Sequence, residues 1–321
     1  MRIFANAAAA RRVAGALAAH ELVLIDADGA CRLGDRNVPP AESRPDIVWL
    51  TFEALSSGMF DLFFDVVLAG GVTWFHTQQT GLDSPRYRAV MARGITLTNS
   101  HAQAPAIADY VFANILAETW PGDAARAAQA EKKWRRLPFR ELGGRHWLII
   151  GLGAIGGEIA RRAKGFGGRV TGLNRDGRPD ARVDATGTLK DLPRLLPEAD
   201  IVVLATAQTA ATADLVDAQF IAAMKPRSIL VNIGRGGLIV DAALIAGLDR
   251  DTPGLAILDT FREEPLPQSH PFWTHPRVRV TAHTSSSGDG TVARADNFFL
   301  ENLRRFEKGE ALLSRVAADA F

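Results

Sequence analysis

The chain is poor in the features that would give it away as secreted, membrane-bound or metal-dependent. It has one cysteine, Cys31, so no intramolecular disulfide can form. No ligand types surround that cysteine at metal-binding spacing, so no metal is expected and a reducing cytoplasm is the expected compartment. No uncharged apolar run is long enough to span a bilayer. The alanine run Ala7 to Ala10 is broken by Arg11 and Arg12 before the apolar core of a secretory leader can form. Charge of one sign is missing too: 37 Lys and Arg against 36 Asp and Glu leave a net charge of +1, spread along the chain. Neither a nucleic-acid footprint nor a polybasic membrane patch fits that pattern. Repeats and low-complexity linkers are absent. What remains is a globular chain of 321 residues, 47% hydrophobic, long enough for two cored domains and suited to a small-molecule partner.

Strand-like apolar runs alternate with helical patterns from end to end. In the first hundred residues they are Val23 to Ile25, Ile47 to Phe52, Val72 to Phe75 and Ile95 to Leu97, with helical spacing over Gly58 to Ala69 and Pro85 to Arg93. Pro105 to Leu116 predicts a long connecting helix, and Asp123 to Arg135 another, with Trp134 at a lobe or subunit contact or in the core. Further on come Leu148 to Ile150, Ile201 to Ala205, Ile229 to Ile233, Leu255 to Leu258 and Val278 to Thr281, enough for a parallel sheet of about six or seven strands. Helices are expected over Asp217 to Met224 and Asp241 to Leu248. Phe298, Phe299, Leu303 and Phe306 give the tail helical spacing, and it is expected to return to the first lobe.

The expected fold class is α/β, with two doubly wound parallel-sheet lobes. A Rossmann nucleotide-binding domain, residues 99–285, is inserted into a discontinuous, flavodoxin-like substrate domain of residues 1–98 and 286–321. Hinges near 97–105 and 284–291 and a cleft between the lobes follow from that division.

Gly151-Leu152-Gly153-Ala154-Ile155-Gly156 follows the run His146 to Ile150 and opens an amphipathic stretch, which places a GxGxxG turn between a buried strand and a helix. Gly151 permits the tight turn, Gly153 lets backbone N–H groups approach a pyrophosphate, and Gly156 lets the helix pack on the strand. The pyrophosphate would meet the positive helix N-terminus at Ala154 and Ile155. The next strand ends at Asn174-Arg175. A dinucleotide fold that prefers NAD places a carboxylate there to hold the adenosine ribose 2′-hydroxyl, and that carboxylate would repel a 2′-phosphate. Asn174 removes the repulsion. Arg175 and Arg178 supply guanidinium forks suited to a phosphate, at about 1.5 to 3 kcal/mol for each charge-assisted hydrogen bond. The reading is NADP(H) over NAD(H), the plainer alternative being a solvated arginine loop with mixed cofactor use.

Three polar residues stand at strand ends on the cofactor side of the second sheet: Arg235, Glu264 and His283. The runs that hold them are Asn232-Ile233-Gly234-Arg235-Gly236-Gly237-Leu238-Ile239-Val240-Asp241, Leu258-Asp259-Thr260-Phe261-Arg262-Glu263-Glu264-Pro265-Leu266-Pro267 and Thr281-Ala282-His283. In this order and behind the glycine turn, they resemble the D-isomer-specific 2-hydroxyacid dehydrogenase family, glyoxylate and hydroxypyruvate reductases included. The resemblance is strong from about 142 to 285 and weaker before that.

The resemblance implies reversible hydride transfer between nicotinamide and C2 of a small 2-oxo acid, with hydroxypyruvate and glyoxylate as leading substrates. His283 would be the general acid, Glu264 the carboxylate that stabilises its imidazolium, and Arg235 the clamp on the substrate carboxylate that also polarises the carbonyl. Thr206, Ile233 and Asp259 join the cofactor contacts, Asp259 as the residue facing the carboxamide. Thr80 and Gly81, in Gln79-Thr80-Gly81-Leu82-Asp83, would offer backbone donors to the substrate, while His76 just upstream is read as packing. A homodimer through the nucleotide-binding domain is implied as well. The chain departs from the family pattern at Ala282, where proline is usual, at Asp109, where glutamate is usual, and at Ala207 and His101. Formate dehydrogenases of this fold carry an amide in place of Glu264. The rival reading is a cofactor-sensing binding protein of the same fold, for which turnover is dispensable.

Overall fold

The computed structural model describes residues 1–317 and divides into two compact units, Met1–Gln103 with Asp289–Phe321, and Ala104–Gly288. The first unit holds β1 (Arg2–Asn6), β2 (Glu21–Ile25), β3 (Cys31–Leu33), β4 (Arg36–Asn37), β5 (Ile47–Leu50), β6 (Trp74–Thr77) and β7 (Thr96–Asn99), in the spatial order β4-β3-β2-β1-β5-β6-β7. Its parallel part, β2-β1-β5-β6-β7, has the flavodoxin-like order. The hairpin β3–β4 extends the edge antiparallel.

β1 and β5 differ from the expected apolar runs, β1 by being missed and β5 by ending early. β1 begins with an arginine and runs directly into the alanine helix Ala7–Arg12, which Asn6 caps by accepting from the Ala8 amide at 2.9 Å. β5 stops at Leu50 because Thr51 turns the chain and caps the helix Phe52–Ser56. Side chains alternate between the faces of this sheet: Phe4, Val48 and Leu50 join one buried cluster, Ile3, Ala5, Ile47 and Trp49 the other. The helix Thr291–Glu307 closes the second face, where Phe299 stacks on Trp49 with ring centroids 4.1 Å apart. Cys31 is buried, and burial pushes its thiol up to about 11, so it stays an unreactive apolar filler.

The second unit holds β8 (His146–Ile150), β9 (Arg169–Leu173), β10 (Ala185–Gly187), β11 (Ile201–Leu204), β12 (Ile229–Asn232), β13 (Leu255–Leu258) and β14 (Val278–Val280). Every pairing is parallel and the order is β10-β9-β8-β11-β12-β13-β14, a Rossmann order with a seventh strand added. Continuous apolar runs fit a sheet buried on both faces: Leu148 and Ile150 of β8 pack into one cluster, Trp147 and Ile149 into the other. Strand order reverses between β8 and β11. The loops leaving those two strands therefore flank the crevice where such sheets take their ligands.

The helix Ala104–Thr119 packs on this sheet, and Gly122–Ala130 follows it. That second helix ends well short of Arg135, with Lys132 already at φ 53°. Trp134 is 99% exposed, which rules out a place in the core. No helix among the described residues is long and apolar enough to cross a membrane.

Candidate active site

The glycine turn after β8 is built by close approach. Gly151 sits at φ 105°, and a Cβ there would come 2.5 Å from the Ala205 carbonyl oxygen; at Gly156 it would lie 1.9 Å from the Gly151 oxygen. Gly153 differs. A Cβ on it would meet nothing within 4 Å, and it starts the helix Ala154–Gly165 with no side-chain cap. The first-turn N–H groups at Ala154 and Ile155 thus begin a helix beside open space, a cradle that suits a pyrophosphate.

Beyond β9, Asn174 donates from Nδ2 to the Arg178 carbonyl at 2.8 Å, while its Oδ1 is buried with no hydrogen-bond partner among the described residues. An orphan acceptor at this strand end fits a ribose hydroxyl. Arg175 is exposed. Arg178 is ion-paired, its Nε 2.7 Å from Asp176 Oδ2, and that guanidinium holds the Asp176 carboxyl below its usual range. So the acid that the sequence places just off the expected position engages one of the two arginines expected to read a phosphate. Thr206 is half-buried in the loop after β11, and Ile233 is buried after β12.

Arg235, Glu264 and His283 line one hollow of about 370 Å³, together with Gln208, Gly236, Gly237, Phe261 and Arg262. His283 Nδ1 lies 2.8 Å from Glu264 Oε2, and Glu264 Oε1 accepts from the Phe261 amide at 2.9 Å. With the carboxylate on Nδ1, Nε2 is the ring nitrogen left for exchange with a ligand. Gly236 has no room for a side chain, since a Cβ would fall 1.8 Å from the Phe261 carbonyl carbon; this contact seats the Arg235 loop against the Glu264 loop. Arg235 Nη1 donates to the Gly234 carbonyl at 2.8 Å. At Gly237 the space of a Cβ is filled by the Gln208 amide, 2.3 Å away. Gln208 carries no motif; only its place just past β11, at the carboxyl end of the sheet, could have pointed to it.

Asp259 is fully buried, and its carboxylate ties down the His283 loop. Oδ1 accepts from Thr281 Oγ1 at 2.6 Å and from the Thr284 amide at 2.9 Å, and Oδ2 accepts from the Ser285 amide at 2.9 Å. The Asp259 carbonyl accepts from the His283 amide at 2.9 Å, which fixes His283 at φ 49°. Tyr110 extends the chain of contacts, its hydroxyl 2.6 Å from Thr281 Oγ1; burial pushes that phenol up to about 12.

In the first unit the Thr80 hydroxyl donates to the Ser100 carbonyl at 3.1 Å, and Asn99 Nδ2 donates to the Thr80 carbonyl at 3.1 Å. Gly81 is half-buried beside it. His76 is fully buried, Nδ1 2.8 Å from Thr98 Oγ1, and the missing solvent drives its ring down to about 3, as a packed neutral histidine. Burial lowers His101 as well.

A family model described as the NAD binding domain of D-isomer specific 2-hydroxyacid dehydrogenases matches residues 112–285. The chain belongs to the D-isomer specific 2-hydroxyacid dehydrogenases. It is an NAD(P)-dependent oxidoreductase acting on the CH–OH group of 2-hydroxy acids. A glyoxylate reductase of Thermococcus gammatolerans is 33% identical over 72% of this chain and 72% of its own length. An uncharacterized protein of Corynebacterium melassecola is 31% identical over 78% of this chain and 83% of that one. The crystal structure of a D-isomer specific 2-hydroxyacid dehydrogenase family protein from Aeromonas salmonicida superposes with a TM-score of 0.75, at 27% identity and 99% coverage of both chains. Within this 2-hydroxyacid dehydrogenase the shorter Asp109 has its own partner, Arg162 Nη2 at 2.9 Å on the helix that follows the glycine turn.

Proposed function

We propose that this dehydrogenase works as an NADP(H)-dependent reductase of a small 2-oxo acid, hydroxypyruvate or glyoxylate, with Arg235, Glu264 and His283 as its catalytic set. The observation that carries the reading is the 2.8 Å contact of His283 Nδ1 with Glu264 in the same hollow as Arg235. The residues at the glycine turn fit a dinucleotide: an uncapped helix start, open space over Gly153 and an orphan Asn174 Oδ1. When bound, the nicotinamide supplies the hydride.

The chain's residues do the rest. Arg235 pairs with the substrate carboxylate and polarises the neighbouring carbonyl, so that charge developing on oxygen meets a fixed cation. Glu264 accepts from Nδ1–H and keeps the imidazole in the tautomer and orientation that aim Nε2 at the hollow. As hydride reaches C2, His283 gives its proton to the carbonyl oxygen, and the product is a 2-hydroxy acid; in the oxidative direction it takes that proton back. The cofactor contacts are assigned to Gly151, Gly153, Ala154, Ile155, Gly156, Asn174, Arg175, Arg178, Thr206, Ile233 and Asp259, and further donors to the substrate carboxylate to the backbone of Thr80 and Gly81. The glyoxylate reductase relative supports the substrate class.

Initial rates with NADPH and with NADH, each against hydroxypyruvate, glyoxylate, pyruvate, phenylpyruvate and phosphohydroxypyruvate, test the assignment. Fast NADPH oxidation with hydroxypyruvate or glyoxylate supports it. Faster rates with NADH remove the cofactor preference, and tight NADPH binding with no turnover on any acid favours the cofactor-sensing protein.

A homodimer through the nucleotide-binding unit is part of the same proposal. Phe139 at 55%, and Trp120 and Phe166 at 46% exposure, line an apolar groove on this unit with Ala113, Leu116 and Leu142, and Trp134 elsewhere on the unit is 99% exposed. Exposed apolar side chains clustered about a groove mark a surface suited to a protein partner. Sedimentation equilibrium should give twice the chain mass, and Trp120→Asp should shift it toward the monomer; a monomeric wild-type protein defeats this part. The single cysteine supports a cytoplasmic location.

A further inference from the structure

One guanidinium in the nucleotide-binding unit lies where the resemblance assigns nothing. Arg182, in the loop between β9 and β10, reaches back to the glycine turn: Nη2 donates to the Leu152 carbonyl at 2.8 Å and Nη1 to the Gly153 carbonyl at 3.1 Å. Asp180 fixes the other side of the fork, accepting from Nε at 2.9 Å and from Nη2 at 2.5 Å. The pair is tight enough to push the Asp180 carboxyl down to about 2. The helix makes room for it. A Cβ on Gly157 would lie 1.8 Å from Arg182 Nη1 and 2.5 Å from its Cζ. Gly157 belongs to the helix Ala154–Gly165, where glycine is a poorer choice than alanine, so its bare surface needs a reason. The arginine occupying that space is one.

The consequence follows from the planarity of the peptide bond. In a trans peptide the C=O of one residue and the N–H of the next point in opposite directions. Fixing the Leu152 oxygen on Arg182 therefore turns the Gly153 N–H away from it, and fixing the Gly153 oxygen does the same for the Ala154 N–H. The Ala154 N–H is the first donor of the cradle described above, and the Gly153 N–H precedes it in the turn. We propose that Arg182 is a positioning residue that holds the glycine turn from behind, in the conformation that binds a dinucleotide pyrophosphate, and that Gly157 is bare to admit it. The proposal rests on the dinucleotide reading of the turn. Since Asp180 neutralises the guanidinium, the effect does not discriminate between cofactors, in contrast to the role assigned to Arg175.

The test is equilibrium binding of NADPH and NADH, followed by nicotinamide fluorescence, with the melting temperature of each cofactor-free variant alongside. Arg182→Met should raise both dissociation constants by a similar factor, on the order of tenfold, with Arg182→Lys in between, because an ammonium can reach one carbonyl but not span two as a planar fork does. Gly157→Ala should weaken both cofactors in the wild-type background and add little in the Arg182→Met background, as the clash it creates has then gone. Unchanged affinity in Arg182→Met at an unchanged melting temperature overturns the proposal, and so does a loss confined to NADPH, which would make Arg182 a direct phosphate reader. If Gly157→Ala costs as much without the arginine as with it, the steric half is wrong. A wild-type protein that binds neither dinucleotide defeats the cofactor reading and this inference with it, whereas wild-type binding with an indifferent Arg182→Met defeats the inference alone.

Discussion

The loop that carries His283 and the loop that carries Arg175 both leave the carboxyl ends of strands in one parallel sheet, yet they are held by opposite means. The first is tied to the fully buried Asp259 carboxylate by a hydroxyl and two amides. The second is exposed over much of its length and held by the ion pairs Arg178–Asp176 and Arg182–Asp180, with Arg182 also reaching the glycine turn. A buried carboxylate satisfied on several sides is costly to disturb, because each amide left unpaired costs about 1 to 3 kcal/mol. Exposed ion pairs are worth at most about 1 kcal/mol each and weaken in salt. The end proposed for proton transfer is therefore built for fixed geometry, and the end proposed for adenosine can be retuned by single substitutions without loss of the fold.

The largest expected effect falls at the fixed end. His283→Ala should slow reduction by at least about a hundredfold in single-turnover measurements while cofactor binding changes little; wild-type turnover in this variant would mean another group donates the proton. Arg175→Ala probes the adjustable end. It should raise the KM for NADPH by about tenfold or more and leave that for NADH nearly unchanged, as removal of one charge-assisted hydrogen bond to a phosphate would. Equal losses for both cofactors in Arg175→Ala would remove the phosphate reader.

Acid separates buried from exposed groups in a third way. His76, held neutral by burial down to about pH 3 against an ordinary value near 6.5, gains a proton on unfolding anywhere between those values. Unfolding then takes up protons, so stability is at its full value above pH 6.5 and declines as pH falls from 6.5 toward 3, by up to about 1.4 kcal/mol per pH unit. His76→Gln should flatten that slope in denaturant titrations at pH 7, 6 and 5; an unaltered slope would assign it elsewhere. The Asp180 pair keeps its charges over most of this range, because the hydrogen bond from Arg182 holds its carboxyl down at about 2.

The smallest effect sharpens the comparison most. Thr281→Val cuts the link from Tyr110 through Thr281 to Asp259 and touches neither His283 nor Glu264. It should cost about 1 kcal/mol of stability, a fall of a few degrees in melting temperature, and lower kcat several-fold with little change in cofactor KM. An unchanged kcat would show that the His283 loop does not need its buried anchor.

Much of this was open to reading in the chain. β11 and β13 are unbroken apolar runs, and β8 and β12 carry a polar residue only at one end, because both sheet faces are covered; such runs announce themselves. The glycine turn is legible because its spacing is imposed by the backbone contacts at Gly151 and Gly156. β1 and the β3–β4 hairpin were not, since an edge hairpin of three and two residues has no periodicity to show and β1 merges into an alanine helix. Nor could sequence spacing foresee that Asp176 would take up Arg178, that Trp134 would stand fully exposed, or that Gln208 would line the hollow with Arg235.

The sequence by itself determined the α/β class, the dinucleotide turn and the three polar residues at strand ends, because hydrophobic period, glycine spacing and residue chemistry are local properties of the chain. Only the tertiary structure decided what those residues touch. That Asp259 anchors the His283 loop 24 positions on, and that Arg182 fills the space left by Gly157 25 positions before it, depends on how strands are ordered in the sheet. Strand order decides which distant segments become neighbours at the carboxyl ends of the sheet, and no local pattern encodes it.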